Sequence, residues 1–262
     1  MTAALPGKAA DVDRLIEDGA NMDYRDEYGW TALRLASAEG HVDCARLLVE
    51  SGADIDAKSY AGSTALNLAA AHGHIACLQM LLEAGADARA AEGTGRATTL
   101  IRAAQHGKSD CVRVLLERGV DAEARCEDGE TALTWAAYYG YTDCVRLLVE
   151  AGADKEVVDS RQCTLLIRAV SNGHTDCVRL LLLAGADMEA TDIDGRTALM
   201  LAAMIRNSAC VRLLVEGGAE KEVTDKNGMT ALAHANARGN ADSAALLAAS
   251  DAPSVADQAS SL

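Results

Sequence analysis

The sequence predicts an all-α repeat solenoid, and three observations predict it. A threonine placed to cap a helix recurs at Thr31, Thr64, Thr98, Thr131, Thr164, Thr197 and Thr230, 33 residues apart at every step but the 34 between Thr64 and Thr98. A second, more apolar helix recurs in phase with it, as VDCARLLVESGAD, IACLQMLLEAGAD, SDCVRVLLERGVD, TDCVRLLVEAGAD, TDCVRLLLLAGAD and SACVRLLVEGGAE. Neither helix of a copy can bury its apolar side alone, so the copies must stack.

The copy at 126–158 shows how each element arises. Glu127-Asp128-Gly129-Glu130 is a turn whose glycine can take positive φ. Thr131 is placed as an N-cap, its hydroxyl accepting from an otherwise orphaned backbone N–H, with a helix from Ala132 to Tyr139 stopped by Gly140. A second cap and helix, Thr142 to Glu150, turn Cys144, Val145, Leu147, Leu148 and Val149 to one face before Gly152 supplies a left-handed stop. Full units follow at about 26–58, 59–91, 92–125, 126–158, 159–191, 192–224 and 225–250, with the extra residue placed in the turn 92–97. A partial unit, 3–25, aligns with a second helix and its glycine stop; it reads as a capping unit or as the remnant of a longer array. In the last unit Asp242, Ser243, Ala244 and Ala245 replace the Cys-Val-Arg pattern, which suits a terminal cap. Residues 251–262 are small, polar and proline-broken, so a disordered tail is expected, and Ser260-Ser261-Leu262 resembles a C-terminal ligand of PDZ domains.

Composition excludes several classes. A formal net charge of −15 opposes nucleic-acid binding, which needs a Lys/Arg stripe, and opposes an anionic membrane surface. No apolar run reaches the roughly 18 residues of a membrane span, and no signal segment opens the chain, so the cytosol or nucleus is expected. Six of the eight cysteines, Cys44, Cys77, Cys111, Cys144, Cys177 and Cys210, hold one position in successive second helices. Helices stack about 8–10 Å apart and a disulfide needs Cα atoms within about 7 Å, so these read as buried free thiols, with Cys126 and Cys163 more exposed in turns. No cysteine and histidine spacing suits zinc, and no cofactor is expected. Gly93-Thr94-Gly95 lacks the lysine and strand of a phosphate loop, and the histidines have no nucleophile in register, so no enzyme is expected.

The period, the G-x-T-x-L helix start, the A-A-x-x-G-H segment and the L-L-x-x-G-A-D ending together resemble the ankyrin repeat family over nearly the whole chain. The resemblance implies paired antiparallel helices joined by β-turn fingers, in a curved array with a concave binding face. The family's usual T-P-L-H is altered: its histidine is replaced by Arg34, Asn67, Ile101, Thr134, Ile167, Met200 or Ala233, which implies a softer stack. The resemblance also implies that turn tips and first-helix ends hold a partner. At matching positions these are Glu27, Tyr28, Trp30 and Glu39 in the first full unit, then Tyr60, Ser63 and His72, then Arg96, Gln105 and His106. The fourth unit supplies Glu127, Asp128, Glu130, Tyr138 and Tyr139, and later units Arg161, Ser171, Asn172, Ile193, Arg196, Met204, Ile205, Lys226, Met229 and Arg238.

Most of the chain's few aromatics fall on that surface among carboxylates, which suits the Arg and Lys side chains of a basic segment. A monomeric, non-enzymatic scaffold binding a basic partner protein is therefore expected. Two alternatives are a methyl-lysine reader, with a cage from Trp30, Tyr28 and Glu39 or from Tyr138, Tyr139 and Glu130, and a spacer or targeting arm of a larger protein. In a plainer reading Trp135 packs between units and Tyr138 and Tyr139 only decorate the surface. Gln162 at a turn glycine's place and Met204-Ile205-Arg206-Asn207 in place of x-x-G-H mark a second contact region, where a non-Gly residue held left-handed costs about 1 kcal/mol unless Asn207 takes that role.

Overall fold

In the computed structural model the described residues, 8–92, 96–159 and 161–249, form fifteen short helices and no strand. They belong to two compact units that divide between residues 154 and 155. The first holds α1 (Ala9–Glu17), α2 (Ala32–Ala38), α3 (Val42–Glu50), α4 (Ala65–His72), α5 (Ile75–Glu83), α6 (Thr99–Gln105), α7 (Ser109–Glu117), α8 (Ala132–Tyr139) and α9 (Thr142–Glu150). The second holds α10 (Leu165–Ser171), α11 (Thr175–Leu183), α12 (Ala198–Met204), α13 (Ser208–Glu216), α14 (Ala231–Ala237) and α15 (Ala241–Ala248). None of these helices is long and apolar enough to cross a membrane. The tail 251–262 and residues 93–95 of the lengthened turn lie outside the described residues.

Helices of seven to nine residues do not hold themselves together in water, so their stability comes from packing. In the first unit α2, α4, α6 and α8 pack in sequence, as do α1, α3, α5, α7 and α9, and each first helix packs on its own second helix. Leu33, Leu66, Leu100 and Leu133 from one row, and Leu48, Leu81, Leu115 and Leu148 from the other, are buried between them. Each such leucine stabilises by about 1.5–3 kcal/mol relative to exposure. The second unit repeats the scheme with Leu166, Leu199, Leu181 and Leu214.

All seven threonines cap as the spacing predicts. The Thr131 hydroxyl accepts from Thr134 N at 3.3 Å, and Thr134 Oγ1 in turn accepts from Thr131 N at 2.8 Å, closing a capping box. Gly73 and Gly140 stop α4 and α8 in the left-handed conformation, at φ 82° and 77°. The second cap differs from expectation. Tyr141, not Thr142, is the N-cap of α9, because its N–H already bonds Ala136 O at 2.9 Å and the chain turns helical only at Thr142. Residues at this junction also reach the unit before: His74 Nε2 lies 2.9 Å from Ala38 O, and Asn240 Nδ2 donates to Ala203 O at 3.1 Å. Where the family's histidine is missing, Asn67 restores a link between units by donating to Thr99 Oγ1 at 3.0 Å.

The fingers between units are tied by carboxylates. Asp26 Oδ1 accepts from Tyr28 N and Trp30 N, and Asp159, Asp192 and Asp225 repeat the arrangement. Adjacent fingers are joined by Asp54 N to Asp23 Oδ1, Asp87 N to Asp56 Oδ1 and Asp154 N to Glu123 Oε1 in the first unit, and by Asp187 N to Glu156 Oε1 in the second. The repeated carboxylates thus act as turn residues, accepting from backbone N–H groups. All six in-phase cysteines are buried and outside any disulfide, while Cys126 and Cys163 are half-buried. Burial pushes the Cys163 thiol above its ordinary value, which opposes thiolate reactivity there.

A pH dependence follows in the second unit. Burial works to raise the Asp192 carboxyl, but hydrogen bonds from the Arg196 side chain and from backbone N–H groups outweigh it and hold it below the usual range. Backbone N–H groups, that of Met229 foremost, and His234 at 2.9 Å lower Asp225 likewise. A depressed carboxyl contributes stability that is present above its unfolded value, near 4, and is lost as pH falls through its folded one. Melting followed by circular dichroism should therefore show the second unit losing stability below about pH 4, and Asp225→Asn should flatten that slope. An unchanged slope would remove Asp225 from the account.

Candidate functional site

The first two full fingers build a cleft. Gly29, at φ 76°, lets the neighbouring finger come close: a Cβ there would sit 3.1 Å from Tyr60 N and 3.3 Å from its ring. Tyr28 and Tyr60 stand exposed at the mouth, and Trp30 is half-buried. Beneath them lies Arg34, at the position of the missing histidine and only 1 % exposed. Its Cζ lies 4.5 Å from the Trp30 ring centroid, and its Nη1 donates to Gly29 O at 3.2 Å. Burial lowers its pKa to about 10, against the opposing pull of Glu92 and Asp26. With Ser63, Leu68 and Glu92 these residues line a cleft of about 360 Å³. Glu39, at the exposed end of α2, is not among its walls.

The next two helix ends carry histidines in place of carboxylates. His72 is exposed and stacks on His74 with centroids 6.0 Å apart, while its Nδ1 lies 2.9 Å from Leu68 O. Gln105 Oε1 accepts from Arg102 Nη1 at 3.1 Å, so it is partly engaged. His106 has its pKa lowered by burial and then by the charges of Arg102 and Lys108. The acidic surface expected from the sequence is interrupted here.

The fourth unit gathers four rings. Tyr138 stands edge-on to Tyr139 at 5.0 Å, Trp135 stacks on Tyr139 at 5.9 Å, and Tyr141 lies 5.8 Å from Tyr139. Tyr138, Tyr139 and Tyr141 remain exposed, beside a finger with Glu127 and Asp128 exposed and Glu130 half-buried. Tyr141 also packs on the unit before, where a Cβ on Gly107 would lie 2.6 Å from its ring. Trp135 joins this cluster rather than serving only as packing, and its buried Nε1 has no hydrogen-bond partner among the described residues. It was missing from the sequence-based surface; the signal was a large aromatic where the other copies have Leu35, Leu68, Arg102, Arg168, Leu201 or His234.

In the second unit the predicted residues are dispersed. Arg161 is exposed, and Gln162 takes the left-handed turn at φ 59°. Arg196 is held by Asp192 at 2.6 Å and Asp194 at 2.8 Å. Met204 is half-buried and Ile205 is exposed, at the end of α12. The left-handed residue here is Arg206, φ 61°, and not Asn207. Asn207 instead caps α13 at φ −97°, its Oδ1 accepting from Cys210 N at 3.1 Å, a role that needs a negative φ. Leu183, where other second helices carry Glu50, Glu83, Glu117, Glu150 and Glu216, is 83 % exposed and went unremarked in the sequence. No group of three His, Cys, Asp or Glu among the described residues is placed to hold a metal ion.

The family model for ankyrin repeats (3 copies) matches residues 1–92, 89–159 and 166–258. Comparison with curated proteins gives no match. Among solved structures, the chain is similar to the ankyrin repeat domain of Bcl-3, described as a unique member of the IkappaB protein family, at 29% identity and a TM-score of 0.68. The likeness covers 82% of this chain and 96% of that one.

Proposed function

Because the chain belongs to the ankyrin repeat family, whose fold is a protein-interaction module, we propose that it binds a partner protein through a basic segment laid on the fourth unit. The observation that carries this reading is the exposed group Tyr138, Tyr139 and Tyr141, backed by Trp135 and flanked by Glu127, Asp128 and Glu130. Tyr and Trp provide contact area at low entropy cost, and carboxylates beside them attract Arg and Lys. The carboxylates set the rate and salt dependence of association; the rings set the lifetime of the complex.

The methyl-lysine alternative has less support. A caged cation needs ring faces turned to it from within about 6 Å of each centroid. The Trp30 face already carries Arg34, and Trp135 and Tyr139 face one another. Methylated and unmodified basic peptides should therefore bind alike.

The test is fluorescence anisotropy of a labelled Arg/Lys-rich peptide against the native chain and against a Tyr138→Ala/Tyr139→Ala/Glu130→Arg variant of unchanged circular dichroism. Losing hot-spot residues should weaken binding by about 2 kcal/mol or more, roughly thirtyfold. Equal affinities would remove the fourth unit as the contact, and a partner set in lysates that ignores the variant would favour the spacer reading.

A further inference from the structure

The cleft between the first two fingers has an unmet chemical requirement. Arg34 Nε and Ser63 Oγ are both buried, both belong to residues lining the cleft, and neither atom has a hydrogen-bond partner among the described residues. A guanidinium is charged at any ordinary pH, so an N–H of it left without an acceptor away from water costs free energy that an incoming acceptor would recover.

The nearby carboxylates attract Arg34, but none of them bonds its Nε. Asp26 Oδ1 holds the backbone of its own finger through Tyr28 N and Trp30 N, and Glu92 is bound to Arg102 Nε at 2.7 Å. Glu27 is exposed at the mouth. The Trp30 face, which would otherwise invite a cation, is covered by Arg34 itself. The cleft thus offers one guanidinium N–H and one hydroxyl without partners among the described residues, and walls of Trp30, Tyr60 and Leu68 that can pack on a short aliphatic stem.

We propose that this cleft is a subsite for a carboxylate on a short apolar stem, to which Arg34 Nε–H and Ser63 Oγ–H donate. Burial lowers the Arg34 pKa to about 10, which leaves it charged at neutral pH, and an anion beside it would offset part of that desolvation. The inference is independent of the basic-segment reading, since that reading rests on the fourth unit and this one on the first two. Taken together they would give a partner segment its register: an acidic residue at one end of the 1–154 unit and basic residues toward the other.

The test is titration of the full chain with two blocked peptides, followed by 15N NMR at the Arg34 Nε–H and the Trp30 indole. One is acetyl-Ala-Ala-Glu-Ala-Ala-amide, with only a side-chain carboxylate; the other is acetyl-Ala-Ala-Leu with a free C-terminus. Each is compared with its uncharged counterpart, the Gln peptide and the Leu-amide peptide. Saturable shifts at both signals are expected with one or both acids, at least tenfold tighter than with the uncharged counterpart, and the tighter acid identifies the source as side chain or chain end. Arg34→Met, which keeps the stem over Trp30, should abolish the preference, and Ser63→Ala should weaken it. If the acids and their uncharged counterparts bind alike, or no shift saturates, the proposal fails. Should Arg34→Met not fold, the acid-to-amide comparison on the native chain decides alone.

Discussion

Replacing Gly107 by alanine is expected to destabilise the 1–154 unit by about 2–5 kcal/mol, one of the largest effects any small substitution should have here. Gly107 follows α6 at φ 65°, a conformation that costs an L side chain about 1–2 kcal/mol. The new Cβ would also lie 2.6 Å from the Tyr141 ring, and displacing a packed ring adds about 1–3 kcal/mol. Gly119 is the control. It too is left-handed, at φ 71°, but nothing lies within 4 Å of a Cβ there, so Gly119→Ala should cost only the backbone component. Urea denaturation of both variants measures the difference, which belongs to Tyr141. Equal midpoints would mean that the ring moves aside freely. Since Tyr141 is 5.8 Å from Tyr139, Gly107→Ala should also alter near-ultraviolet dichroism from the aromatic cluster, which Gly119→Ala should leave unchanged.

Leu133→Ala should cost about 2–5 kcal/mol. Leu133 is fully buried in α8, which packs on α6 and α9. In an array each unit contacts only its neighbours, so the loss should be local in effect. Amide exchange should accelerate most in α8 and α9, less in α6 and α7, and least in α2 and α3, because protection tracks local opening. Uniform acceleration from α2 to α9 would show that the unit opens only as a whole.

The fold was legible because its determinants are short-range and repeated. A threonine hydroxyl reaches a backbone N–H three residues on, as Thr131 does to Thr134, and a glycine takes positive φ where it stands, as Gly140 does. Such signals need no knowledge of the rest of the chain. The candidate site was less legible because it depends on which side chains meet across units. Arg34 read as a departure from the histidine pattern, and nothing in the sequence placed its guanidinium over Trp30. The visible clue was a charged residue at a helix position where the other copies have Asn67, Ile101, Thr134, Ile167, Met200 or Ala233. Arg196 likewise read as available to a partner, although Asp192 and Asp194 hold it. Asn207 was one residue that could have made the turn, since asparagine tolerates φ > 0, but its side chain caps α13 and Arg206 makes the turn.

The column of buried cysteines gives the molecule a set of internal clocks. Cys44, Cys77, Cys111 and Cys144 in the first unit, and Cys177 and Cys210 in the second, place one thiol in each of six successive second helices. Burial pushes Cys77 and Cys111 up to about 11, so the reactive thiolate is scarce as well as hidden. Each thiol can be alkylated only while its own helix pair is open. A pulse of iodoacetamide followed by peptide mass analysis would then time the opening of each repeat on the native chain, with no label introduced and no residue changed.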